Sequence, residues 1–205
     1  MSKLLLTLLL LFITANSFAQ NWDINTLRSI NLNRNKSLDN TFQFISNSTS
    51  PVAFGIPIAL FAINVLHKDS IAKNKAIYIG STVIISSIIS TVSKKIIKRN
   101  RPSATYPDIE AIGKGGSYSM PSGHTSDAFA LATSVSVAYR KWFVVAPVFV
   151  WAGAVGYSRL HLGVHYPTDV LAGAVVGAGS AYLSFKLNNW LFHHAKPARH
   201  VGSGK

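Results

Sequence analysis

Polar and apolar positions along the chain sort into a short apolar leader, a mixed stretch and then a series of long apolar runs. After Met1-Ser2-Lys3 comes LLLTLLLLFI, which leads to Ser17-Phe18-Ala19. A basic head, a short apolar centre and small residues at its end make residues 1–19 an expected export signal, with an uncleaved anchor as the alternative. A spanning helix needs about 20 apolar residues, and this run has about half that. Residues 20–50 are polar with spaced apolar positions (Trp22, Ile24, Leu27, Ile30, Leu38, Phe42, Phe44, Ile45). That spacing predicts amphipathic helices lying along a surface. Charge-free runs follow at 51–66, 76–93, 143–158 and 170–185, with a less apolar helix at 126–139 that carries one early acid, Asp127. Such runs are too uniformly apolar for half-exposed soluble helices and somewhat short for a thick bilayer, so tilt or local thinning is expected. No strand alternation and no repeat interrupts them. The fold expected is all-α: a membrane bundle of about five transmembrane helices over residues 51–192, closed by a polar tail at 193–205.

Composition sharpens this picture. Hydrophobic residues make up 48% of the 205 and charged residues 13%, about half the usual share, which excludes a disordered chain. Twenty Lys and Arg against seven Asp and Glu leave +13, a balance that favours anionic partners. The basic residues are divided between the two predicted membrane faces without interleaved aromatics, so nucleic acid is not an expected partner. The absence of cysteine removes disulfides, thiolate nucleophiles and Cys-based metal centres. If the mature N-terminus lies outside, successive crossings put 94–120 and 158–169 outside and Arg140 and Lys141 inside. The near-even division of Lys and Arg leaves the positive-inside rule undecided. Five outer cations nevertheless crowd between Lys94 and Arg101, a distribution suited to a binding site.

Three outer segments carry chemistry. In K-K-I-I-K-R-N-R-P, a continuing helix would set Lys94 and Arg101 on nearly one face, able to reach one anion, before Pro102 ends it. A patch that holds lipid headgroups is the plainer alternative. Pro121-Ser122-Gly123-His124 opens the next helix; its unpaired N–H groups and the Ser122 hydroxyl make an anion cradle, with His124 beside it to hand over a proton, and an ordinary capped helix with an incidental histidine is the plainer alternative. In S-R-L-H-L-G-V-H-Y-P-T-D, Pro167 suits a first helical position and brings Asp169 back toward His165. There a carboxylate fixes the tautomer and frees the other ring nitrogen for attack. His161 lacks that spacing. Arg159 lies near the outer end of a charge-free helix, a costly place for a cation unless it binds an anion or snorkels to the headgroups. With one carboxylate and three cations close by, a divalent metal is disfavoured, and no metal or cofactor is expected.

Lys94-x6-Arg101-Pro102, Pro121-Ser122-Gly123-His124 and Ser158-Arg159-x5-His165-x3-Asp169 together resemble the motif of the type 2 phosphatidic acid phosphatase family, shared with bacterial acid phosphatases and vanadium haloperoxidases. The stretch from Asn31-Leu32-Asn33-Arg34-Asn35 to Leu38-Asp39 also looks like the N-terminal region of bacterial members. The resemblance implies metal-independent hydrolysis of a phosphomonoester or pyrophosphate through a phosphohistidine. It makes His165 the nucleophile, Asp169 its orienting group and His124 the acid for the leaving oxygen. Lys94, Arg101, Ser122, Gly123 and Arg159 would hold the phosphoryl group. The expected substrate is a phospholipid or polyprenyl phosphate, met at the outer face of a bacterial inner membrane. A soluble periplasmic acid phosphatase and a noncatalytic membrane protein are the alternatives; the long apolar runs oppose the first. The 18 residues 103–120 are expected to be either a mobile lid or a plain connection, with Asp108, Glu110 and Lys114 as candidates to tune headgroup choice.

Overall fold

The computed structural model describes residues 21–113 and 116–194. The expected export signal, Lys114 and the tail beyond 194 lie outside the described residues. Every regular element among those described is helical: α1 (21–31), a short 3-10 turn (Lys36–Leu38), α2 (Asp39–Asn47), α3 (Thr49–Leu66), α4 (Ser70–Ile97), α5 (Pro102–Thr105), α6 (Gly123–Tyr139), α7 (Trp142–His161) and α8 (Pro167–His194).

Local chemistry sets the ends. Asp69 caps α4 by accepting from the Ile71 and Ala72 N–H groups, and Lys98 stops it in a left-handed conformation. Arg140 does the same for α6. Pro102 sits at the start of α5 and Pro167 opens α8, where a missing N–H costs nothing. The left-handed turn at Lys98 (φ 52°) corrects one expectation: α4 does not continue to Arg101, which is extended at ψ 156°. Lys94 and Arg101 therefore converge through a chain reversal rather than along one helix face.

Four segments are long and apolar enough to cross a membrane: Lys36–Leu66, Ser70–Thr105, Trp142–His161 and Pro167–Trp190. The most apolar part of each is mostly unburied within the protein, with Ile58, Ile84, Val150 and Val175 facing outward. This is what lipid as solvent requires. The chain is a multi-pass membrane protein. The fifth helix of the bundle, α6, has 17 residues and a different role. It packs against α3, α4, α7 and α8, and its Ala128, Ala130, Leu131 and Ala132 are completely enclosed.

Small residues make that enclosure possible. A Cβ on Gly173 would meet Ser122 O at 2.7 Å, and one on Gly177 would meet Ala130 N at 2.7 Å. The G-x-x-x-G of α8 is thus where the backbone of α6 rests, a seam within the chain. The consequence is positional, since it fixes the start of α6 against the start of α8.

Outside the bundle, α1 and residues 102–112 form a second small core of Ile24, Leu27, Ile109 and Tyr166. Three ties hold it: Arg28 pairs with Asp108 at 2.7 Å, buried Asn31 bonds both the Glu110 backbone and His161 O, and Ile112 N–H donates to Leu162 O. The first part of the 103–120 connection is therefore packed in place rather than free as a lid.

Candidate active site

The ends of α4, α6, α7 and α8 meet at one end of the bundle. Around their junction is a cavity of about 280 Å³, lined by Lys94, Arg101, Gly123, His124, Arg159 and His165 among others. Residues more than 70 positions apart in sequence converge here because α4 and α7 end, and α6 and α8 begin, on the same side.

His165 lies in the short turn between α7 and α8 and is 1% exposed. Its two ring nitrogens face different surroundings. On the Nδ1 side Asp169 Oδ2 is 3.5 Å away and Ser119 Oγ 3.4 Å away. Asp169 is itself held: it accepts from Ser119 Oγ at 2.5 Å, from the Tyr166 N–H at 2.9 Å and from Arg99 Nη1 at 2.8 Å. On the Nε2 side Arg101 Nη1 lies 3.4 Å away, beyond which the cavity opens. Burial pushes the imidazole far below its usual range, to about 3; the Asp169 hydrogen bond opposes this, while the charges of Arg159 and Arg101 add to it. The ring is therefore neutral at ordinary pH, with a lone pair on one nitrogen.

The cations are held so that their charge stays unneutralised. Arg101 donates to Ser117 O at 2.8 Å and Val164 O at 2.9 Å; Lys94 donates to Tyr118 O at 2.8 Å and Ser119 O at 3.3 Å. All four acceptors are neutral carbonyls. Arg159 donates to Ser46 Oγ, and its buried Nε has no partner. Ser122 stands at the N-cap position of α6, fully buried and without a side-chain bond to the helix N–H groups; its Oγ accepts from Thr125 Oγ1, leaving its own proton to donate. The first-turn N–H groups of α6, beginning at Gly123, have no intrahelical acceptor and stand at the positive end of the helix dipole. A tetrahedral dianion in this cavity would meet three cations and one helix start. Among the described residues no group of three His, Asp or Glu side chains stands together as a metal cage.

All eight residues singled out in the sequence lie at this end of the bundle. His161 does not join the cavity: its Nε2 lies 2.8 Å from Asp39 Oδ1 and its ring packs 4.2 Å from Phe42. Asp108 and Glu110 are likewise occupied, Asp108 by Arg28 and Glu110 by Arg34 and Lys36. Three residues that sequence reasoning missed complete the arrangement. Arg99 bridges Asp169 and buried Asp23, packing 3.9 Å over the Tyr166 ring; Ser119 joins Asp169 to His165; and Asp23 also accepts from the Thr168 N–H. Nothing in the spacing separated Arg99 from its basic neighbours. Asp23 lay in a stretch whose only legible signal was amphipathicity.

The family model of the PAP2 superfamily matches residues 75–193. A lipid A 4'-phosphatase of Porphyromonas gingivalis is 29% identical over 80% of this chain and 71% of its own. The undecaprenyl-diphosphatase BcrC of Bacillus subtilis is 27% identical over 77% of this chain and 78% of its own. Matches to a Bacteroides thetaiotaomicron lipid A 4'-phosphatase (35% identical) and a Sulfolobus acidocaldarius undecaprenyl-diphosphatase (33%) cover 39% and 54% of this chain. They span only 32% and 56% of those relatives. The crystal structure of Aquifex aeolicus LpxE superposes with a TM-score of 0.66 at 26% identity, covering 80% of this chain and 95% of the other. The fold is also that of a transmembrane PAP2 type phosphatidylglycerolphosphate phosphatase from Bacillus subtilis, with a TM-score of 0.67.

Proposed function

The chain belongs to the PAP2 superfamily, and on that premise we propose that it is a metal-independent phosphatase of membrane lipids, acting through a phosphohistidine at His165. One observation carries the mechanism: His165 has a satisfied carboxylate side and an open cationic side. In the first step the Nε2 lone pair attacks phosphorus, and the bond to the leaving oxygen breaks as His124 gives that oxygen its proton. Burial and the charges of Arg159, Arg101 and Lys94 lower His124 to about 4 in the protein alone, and the bound phosphoryl dianion, by neutralising those cations, raises it so that it carries the proton. The Nδ1–H faces Asp169, whose charge stabilises the imidazolium character that develops. In the second step water attacks the phosphorus of the phosphohistidine, its proton passes to His124, and the N–P bond breaks to restore neutral His165.

Lys94, Arg101, Arg159, Ser122 and the first turn of α6 hold the three phosphoryl oxygens, whose charge grows in the transition state. These fixed donors take the part that a divalent ion plays elsewhere. The substrate is a lipid or polyprenyl carrier with a terminal phosphoryl group, its chain remaining in the bilayer beside the bundle; the names of the relatives support this class. The active end faces the periplasm across the inner membrane, so the headgroup arrives from the outer leaflet.

The test is phosphate release from a panel of lipid phosphomonoesters and diphosphates by purified full chain, with and without chelator, followed by an alkaline denaturing quench to trap labelled protein. Turnover that survives chelator, an acid-labile phosphoenzyme and inhibition by vanadate are expected. His165→Ala should lower turnover by about 10⁴-fold or more while the protein stays folded in the membrane. Undiminished turnover by that variant would remove the assignment.

A further inference from the structure

A second cavity, of about 210 Å³, adjoins the first and shares Lys94, Ser117, Gly123 and Asp127 with it. The proposed chemistry needs nothing from its remaining walls. Ser87, Ser90 and Thr91 project from one face of α4, and Tyr118, 40% exposed, stands opposite. Ser90 is 2% exposed, and its Oγ has no hydrogen-bond partner although it lines this space. Asp127, one turn beyond His124 on α6, accepts from Ser87 Oγ at 2.8 Å. It is the one acid among the described residues that line the two cavities.

A carboxylate set among cations that gather a phosphate weakens the hold on anions, so its presence calls for a reason. The arrangement of hydroxyls, a carboxylate and an exposed aromatic ring is suited to a group that donates several hydrogen bonds and offers an apolar face. Resting on the phosphatase reading above, we infer that this cavity is a leaving-group subsite for a hydroxyl- or amino-bearing sugar, and that Asp127 selects against a second phosphoryl group. A sugar would donate to Asp127 and exchange hydrogen bonds with Ser90 and Thr91. The distal phosphate of a diphosphate would instead bring like charge toward Asp127. Lys94 is committed to the reacting phosphoryl group, and Lys95 is exposed at the rim, where solvent and salt screen it more than the deeper Asp127.

The experiment compares kcat/KM of the full chain in lipid nanodiscs at pH 8, where the Asp127 carboxyl, raised by burial to about 6, is ionised, for two synthetic substrates, a glucosamine-based lipid phosphomonoester and a polyprenyl diphosphate. The wild-type chain should favour the first. Asp127→Asn keeps an acceptor for Ser87 but removes the charge, and should move the ratio about tenfold toward the diphosphate. Ser87→Ala breaks the tie to α4 while keeping the charge, and should leave the ratio where it was. If Asp127→Asn lowers both activities and the melting temperature together with the ratio unmoved, Asp127 only joins α6 to α4 and the subsite is refuted. Wild-type protein that hydrolyses neither lipid overturns the phosphatase reading and the subsite with it.

Discussion

Arg99 and Arg101 stand two residues apart, yet the protein uses them in opposite ways. Arg99 is neutralised: Asp23 lies 2.6 Å from one of its nitrogens and Asp169 2.8 Å from another, with the Tyr166 ring beneath. Arg101 bonds two carbonyls and turns its remaining charge toward His165 and the cavity. The difference lies in what surrounds each guanidinium, and it divides the site into a structural half that anchors Asp169 and an electrostatic half whose positive charge faces the cavity. A half-buried cation with no acid beside it is costly, and its retention is intelligible where a ligand supplies the missing charge.

Substitution should separate these halves. The largest effect is expected at Arg101: Arg101→Ala should lower kcat about 10²–10³-fold, the usual loss for one transition-state donor, with little change in melting temperature. Relief of an uncompensated cation offsets the lost carbonyl bonds in the ground state. Arg99→Ala should instead destabilise the fold by about 3 kcal/mol or more, because Asp23 and Asp169 are left buried without their cation. Thermal denaturation alongside turnover would blur the comparison if both variants lost stability equally.

The smallest effect belongs to the surface clasp on residues 102–112. The Arg28 hydrogen bond lowers the Asp108 carboxyl, and hydrogen bonds from Lys36 and then Arg34 lower that of Glu110. A carboxyl whose folded value is depressed adds stability that is fully present above its unfolded value and disappears as pH falls through the folded one. Melting temperature should therefore begin to fall below about pH 5, and Glu110→Gln should flatten part of that slope. High salt should weaken the Arg28–Asp108 and Lys36–Glu110 pairs as well, since both are exposed.

The helices and their membrane setting were legible because a spanning helix must satisfy its backbone internally and present apolar side chains to lipid, which writes itself as long charge-free runs. Position 102 likewise announced its turn, since proline restricts the residue before it. The path between Lys94 and Arg101 was not legible, because the left-handed conformation at Lys98 leaves no mark that distinguishes it from other lysines in a basic run.

The sequence by itself determined an all-helical membrane chain, the family motif and the eight residues gathered at one end, since these depend on hydropathy, spacing and local backbone chemistry. Only the tertiary structure decided that α6 is the enclosed centre, that Arg99 serves Asp169 while Arg101 faces the cavity, and that Asp127 and Ser90 share a pocket. Those outcomes depend on which distant groups meet, and two arginines or two aspartates are chemically alike until a partner tens of residues away takes one and leaves the other.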